Sequence, residues 1–320
     1  MKLKKLFKFG RKTKDRIVHA GNTSRAKILK QLSPQSEAAS PSECVTFGVT
    51  LASSRTVRDW SLTCSLLRTT LRSVLRQSDP RLRVIICGHE MPDLPELRDE
   101  RVEFLSMQSS PPREPQKFRS DKFRKRLNIG QRLHQLGGGY YMQLDADDIV
   151  HCDLVDYVLR ARHPNGHLIP TGYTCDWAAG LVAPVPGAWR LSLERVCGST
   201  SVLRFDLPDL PSAEATSEML LFNMCSQHNS IPIAFEEELR YLDFMELPAV
   251  IYTMNHSQNL SFSLQRGGNR KENIINLIRE QAITDEAELR RIDEYFGTDF
   301  AASQIVQANG VEASKMGRFR

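Results

Sequence analysis

The chain has 320 residues, 41% hydrophobic, 25% charged and 8% aromatic, which is enough apolar material for a sizeable core and excludes a disordered tail, a coiled coil or a collagen. The formal charge of +5 is unevenly held, since residues 1–30 carry eleven Lys or Arg against one acidic residue and the rest of the chain is net negative. No run approaches the ~18 consecutive apolar residues of a membrane-spanning helix.

In chain order, the basic arm comes first. Met1 to Phe9 sets Leu3, Leu6, Phe7 and Phe9 among lysines but has no apolar stretch of about 7–15 residues, so it does not read as a cleaved leader. Two readings stay open: the arm rests on an anionic leaflet, where each Lys near the surface adds about 1 kcal/mol, or it is a solvated, disordered leader. Nucleic acid is not an expected partner, because the body carries no zinc-finger pattern or aromatic RNP-like run. Leu32 to Ser42 is rich in Ser and Pro and reads as a linker, so the folded part is expected to start near Val45. Seven cysteines, odd in number and without a C-x-x-C pair, predict buried thiols in a reducing cytosol instead of a disulfide framework.

Thr46 to Leu51 is an apolar, β-branched run that predicts a strand emptying into Ser53-Ser54-Arg55. Leu67, Leu71, Val74 and Leu75 share one helical face, and Ser78-Asp79-Pro80 ends that helix. Leu82 to Gly88 is a second strand, which completes a βαβ unit and implies a parallel sheet with a right-handed crossover. Arg101 to Leu105 predicts a third strand, Ser109 to Pro115 a loop, and Asp121 to Leu136 a helix stopped by three glycines. Lys122, Arg124, Lys125 and Arg126 near its start are read either as a solvated face or, for Lys122, Arg124 and Lys125, as groups that approach phosphates.

Tyr140 to Leu144 is the next strand, and it delivers Asp145-Ala146-Asp147-Asp148 to its carboxyl end, where open α/β sheets bind ligands. Three carboxylates within four residues repel one another unless a cation joins them. Hard oxygen ligands of this kind suit Mg²⁺ or Mn²⁺ shared with diphosphate oxygens.

Leu71 to Gln77, then Val84-Ile85-Ile86, then Gly138 to Asp148 together resemble the family 2 glycosyltransferases of GT-A fold, over roughly residues 45–160. The resemblance implies one α/β domain with a mostly parallel central sheet flanked by helices. A Rossmann-like nucleotide-binding half would span 45–160 and an acceptor-binding half 161–265, between the arm and linker of 1–44 and a helical tail of 266–320. It implies a nucleotide-sugar donor and a glycan or lipid-linked acceptor. Asp145 would lie near the ribose or the metal, Asp147 would ligate the cation, and Asp148 would support the site or meet the sugar. Thr50, Ala52 and Arg55 would lie beside the base, and Glu90 would replace the acidic residues that relatives carry after the second strand.

The acceptor half is less regular. Gly172 to Trp177 and Trp189 fall in predicted loops, and Val196 to Leu203 in a glycine-kinked strand. Glu218, on a helix predicted from Ser212 to Cys225, and His228 are the candidate catalytic bases, with Glu236-Glu237-Glu238 a further acidic cluster. Ala249 to Met254 is a strand that ends close to His256, which by the resemblance would add a nitrogen ligand to the metal. Asp285 with Glu288 predicts the capped start of a last helix that carries no chemistry.

The expected function is a metal-dependent, inverting glycosyltransferase, cytoplasmic or peripheral on the inner membrane face. The rivals are a nucleotidyltransferase, which would need a glycine-rich basic loop where Ala52 to Arg55 stands, and a non-catalytic membrane-surface module working through its arm.

Overall fold

The computed structural model describes residues 44–187, 191–214, 216–217, 219–257 and 269–302. The basic arm, Trp189 and Glu218 lie outside the described residues.

The first half follows the predicted order. Strand β1 (Val45–Thr50) is followed by helix α1 (Trp60–Leu75), β2 (Leu82–Gly88), β3 (Val102–Ser106), helix α2 (Phe118–Gln135) and β4 (Gly139–Leu144). Helix α1 starts where Asp59 accepts the Leu62 N–H at 2.9 Å, and it buries Leu67, Leu71 and Val74 on one face. β1 pairs in parallel with β2 on one side and β4 on the other, and β3 extends the parallel run beyond β2. Gly48 permits the close packing of β1 on β4: a Cβ there would lie 2.5 Å from the Tyr141 ring.

Beyond β4 come β5 (Ile149–Val150), helix α3 (Leu154–Ala161), β6 (Gly166–Leu168), β7 (Gly172–Asp176), β8 (Leu181–Val185) and β9 (Ser201–Phe205). Short helices α4 (Leu221–Met224) and α5 (Ile231–Glu237), strands β10 (Asp243–Phe244) and β11 (Val250–Met254), and helices α6 (Asn269–Glu280) and α7 (Glu286–Phe296) complete the described chain. The protein is thus α/β, with a seven-stranded, mostly parallel sheet ordered β10-β6-β9-β4-β1-β2-β3 and flanked by helices. β9 runs antiparallel between β4 and β6. A second, four-stranded sheet is ordered β5-β11-β7-β8.

Three predicted elements differ. Gly172 to Asp176 is a strand of the second sheet, not a loop. The helix expected from Ser212 to Cys225 reduces to the single turn of α4, because Leu220 is extended and the Asn223 side chain instead donates to the Ser217 carbonyl at 2.8 Å. The strand expected from Val196 begins only at Ser201, so Gly198 to Thr200 form a loop at the sheet edge.

One core cluster unites β1, β2, β4, α1 and α3. A second, on the other face, joins α2 to α4 and α5 around Tyr141, Phe205 and Phe222. A third seats α7 on the second sheet through Leu289, Ile292 and Phe296.

Candidate active site

The carboxyl ends of β1, β2 and β4 share one sheet edge, and β4 passes directly into Asp145-Ala146-Asp147-Asp148. The three carboxylates part there and take different roles. Asp145 meets the ammonium of Lys122 at 2.6 Å, both side chains being partly open to solvent. Burial works against the Lys122 charge, but the carboxylates of Asp145, Asp147 and Asp148 outweigh it and hold the ammonium above its ordinary pKa. The Asp145 N–H donates to Ser199 Oγ at 2.9 Å, and a Cβ on Gly198 would come within 3.2 Å of Asp145 Oδ2, so the loop before β9 lies against this carboxylate.

Asp147 turns the other way, towards the second sheet. Its Oδ2 lies 2.7 Å from Nε2 of His256, a residue 109 positions downstream. His256 is 4% exposed, whereas the Asp147 side chain keeps 22% of its surface open. The two groups are in hydrogen-bonding contact, and the carboxylate side of the pair is partly open to solvent.

Asp148 is wholly buried. It accepts from Ser199 Oγ at 2.6 Å and from the Thr253 N–H at 3.0 Å, with the Cys197 thiol at 3.4 Å. Burial first, then the neighbouring Asp147 and Asp145, pushes its pKa well above the usual carboxylate range.

The residues expected around a base occupy the same edge. Thr50 closes β1, and Ala52 and Arg55 are exposed in the loop after it. Glu90 accepts from Ser53 Oγ at 2.8 Å and from the Ser54 N–H at 3.2 Å, so it ties the loops that follow β1 and β2. Below them lies a buried chain that the sequence did not suggest. His89 meets Asp121 at 2.9 Å, Asp121 meets Lys125 at 2.5 Å, and Lys125 Nζ donates to the Leu51 carbonyl at 2.8 Å. The spacing held the clue, since Asp121, Lys125, Ile129 and Leu133 share one helical face. Lys125 and Arg126 are therefore interior groups and not part of a solvated face. Arg126 donates to the Phe222 and Cys225 carbonyls at 2.7 and 2.8 Å, capping α4. Arg124 remains exposed.

His228 stands across from Asp145 and Lys122. Its Nε2 lies 3.3 Å from the Arg195 carbonyl, an atom that only accepts, so the proton sits on Nε2 and Nδ1 is the basic nitrogen. Burial lowers its pKa, which keeps the ring neutral. A cavity of about 10 Å³ beside it, lined by Arg126, Tyr141, Gln143 and Gly198, has room for about one water molecule.

Among the described residues, one set of three side chains gathers ligand atoms within 4.8 Å of one another, and it is His151, Cys152 and Asp153, not Asp145, Asp147 and His256. It is poorly suited to a cation. His151 Nδ1 already accepts the Asp153 N–H at 3.0 Å, burial raises the Cys152 pKa, and the Arg76 charge acts on both residues. Compared against models of known protein families, the chain matches none, and no characterised protein matches it in sequence.

Proposed function

We propose that this chain is a metal-dependent glycosyltransferase of the GT-A, family 2 type that moves a sugar, with inversion, from a nucleoside diphosphate to an acceptor hydroxyl in polysaccharide or glycolipid assembly. The observation that carries the reading is the 2.7 Å approach of His256 to Asp147 at the carboxyl edge of the sheet, across 109 residues of sequence. A mixed oxygen and nitrogen pair favours Mn²⁺ over Mg²⁺, which prefers oxygen throughout. Two protein ligands would leave the other coordination positions to diphosphate oxygens. Bound there, the cation would supply neutralisation of the charge that gathers on the departing diphosphate.

The remaining roles follow from what each side chain already holds. Lys122 carries a partly exposed positive charge beside Asp145 that would meet a diphosphate oxygen. The loop after β1, fixed by Glu90 from one side and Lys125 from below, forms the seat of the nucleotide. In the transfer, the acceptor oxygen bonds to the anomeric carbon as the bond from that carbon to the diphosphate oxygen breaks. The hydroxyl proton passes to Nδ1 of His228, and the electron pair of the broken bond leaves on the diphosphate. The basic arm would hold the enzyme against an anionic cytoplasmic leaflet, close to a lipid-linked or glycan acceptor.

Thermal unfolding of the full chain with UDP-, GDP- and dTDP-sugars, each with and without Mn²⁺, tests the reading. One donor class should raise the midpoint only when Mn²⁺ is present, since a ligand at 100 times its Kd adds about 2.7 kcal/mol. Stabilisation by no nucleotide sugar under either condition would sink it.

A further inference from the structure

His256 sits in an unusual turn. β11 ends at Met254, and the two residues that flank His256, Asn255 and Ser257, both have left-handed backbones, with φ of 61° and 67°. Side chains with a Cβ seldom adopt this conformation, Asn more readily than Ser, and it persists where the surroundings enforce it. Here the enforcing group is visible. The Asn255 amide donates to Asp176 Oδ1 at 2.7 Å. Asp176 closes β7 opposite Met254 and is wholly buried. The same Oδ1 accepts the Ala179 N–H at 3.2 Å, and Oδ2 faces Arg279 Nε of α6 at 3.1 Å.

We propose that Asp176 is a positioning residue for the metal centre: through Asn255 it locks the turn that points the His256 imidazole at Asp147, and Arg279 brings helix α6 into the same lock. This rests on the Asp147–His256 reading above and extends it to three residues that would contact neither metal nor donor. A carboxylate needed only to fasten α6 to the second sheet would be satisfied by Arg279 alone. Asp176 instead divides its other oxygen between the Ala179 N–H of the turn after β7 and the amide beside the histidine, the latter at a backbone conformation that otherwise disfavours a side chain. Removing the amide should therefore leave the fold in place and loosen the imidazole.

The test uses the full chain and Mn²⁺ alone, with affinity read by electron paramagnetic resonance and imidazole coordination read as nitrogen hyperfine coupling to the bound ion. Asn255→Gly is the deciding variant, because glycine accepts a left-handed φ freely and the Asp176–Arg279 pair stays intact. It should weaken Mn²⁺ about tenfold or more, the usual effect of losing a group that orients a metal ligand, and diminish the nitrogen coupling, while the metal-free thermal midpoint stays within a few degrees. Arg279→Lys should keep most of the wild-type affinity. Wild-type affinity with undiminished nitrogen coupling in Asn255→Gly would overturn the positioning role and leave the metal centre standing. Failure of the wild-type chain to bind Mn²⁺ would overturn both.

Discussion

Asp145, Asp147 and Asp148 fall within four consecutive positions and face three environments: a lysine, a histidine and a buried cradle of donors. Asp148 is the most constrained. Because its folded pKa lies above the ordinary carboxylate value, the folded state binds a proton more tightly than the unfolded chain does. Stability from this group therefore falls as pH climbs from the ordinary value towards the raised one. Asp148→Asn, which mimics the protonated acid, should flatten that slope in urea midpoints taken at pH 5 and pH 8. Asp148→Ala leaves the Thr253 N–H and the Ser199 hydroxyl without their acceptor and should cost about 2–4 kcal/mol at pH 5 and less at pH 8, where the wild type has lost part of what the acid supplied.

His228 carries a prediction of the opposite kind. Burial lowers its pKa, so its neutral, basic form survives to lower pH than free imidazole allows. The rate of sugar transfer should be level through neutrality and fall on an acid limb below about 6.5. His228→Gln should reduce kcat by about 10²- to 10⁴-fold and remove that limb, with the KM for donor little changed. A variant that raises KM and keeps both kcat and the limb would assign His228 to binding instead.

Among the elements, α1 and α3 are joined by one side chain. Gln77 follows α1, donates to the His151 carbonyl at 2.7 Å and accepts the Val155 N–H at 2.9 Å, all within the core. Gln77→Leu leaves the Val155 N–H without its acceptor, while the His151 carbonyl keeps the Leu154 N–H, and should destabilise the protein by about 1–3 kcal/mol in urea unfolding, more than a surface Gln would. Much of this half was legible in the sequence. β1, β2 and β4 are mostly apolar and β-branched or aromatic runs, and α1 repeats its leucines at helical spacing, so local pattern and tertiary burial agree. The second sheet was not legible. β7 places Thr174 and Asp176 in the interior, where hydrogen bonds and an ion pair satisfy them, and that erases the alternation expected of a half-buried strand. β8 carries Pro184, which a strand tolerates at the edge of its sheet, the position β8 holds. At the candidate site, Asp147 could be found from its place after β4. The arrival of His256 beside it depends on β11 pairing with β5, the strand that directly follows Asp148, a relation between distant segments that no local pattern carries.

On the scale of the whole molecule, the charge is divided between a basic arm and an acidic body, and the two are separable by experiment. Among the described residues no helix is long and apolar enough to cross a membrane, and β1 starts at Val45, well after the arm. Deleting residues 1–30 should abolish co-sedimentation with vesicles rich in phosphatidylserine and leave the thermal midpoint and any donor-dependent stabilisation unchanged. Loss of stabilisation along with vesicle binding would make the arm part of the folded machinery.

The two sheets, finally, are riveted at one buried carboxylate. Asp148 follows β4, takes a hydroxyl from the loop that leads into β9 and a main-chain N–H from β11. Neither sheet can open at that edge without stripping the acid of a donor. In native-state deuterium labelling, the amides of β4, β9 and β11 are therefore expected to exchange at a common rate, as one cooperative unit, and to separate into two populations once the rivet is cut by Asp148→Ala.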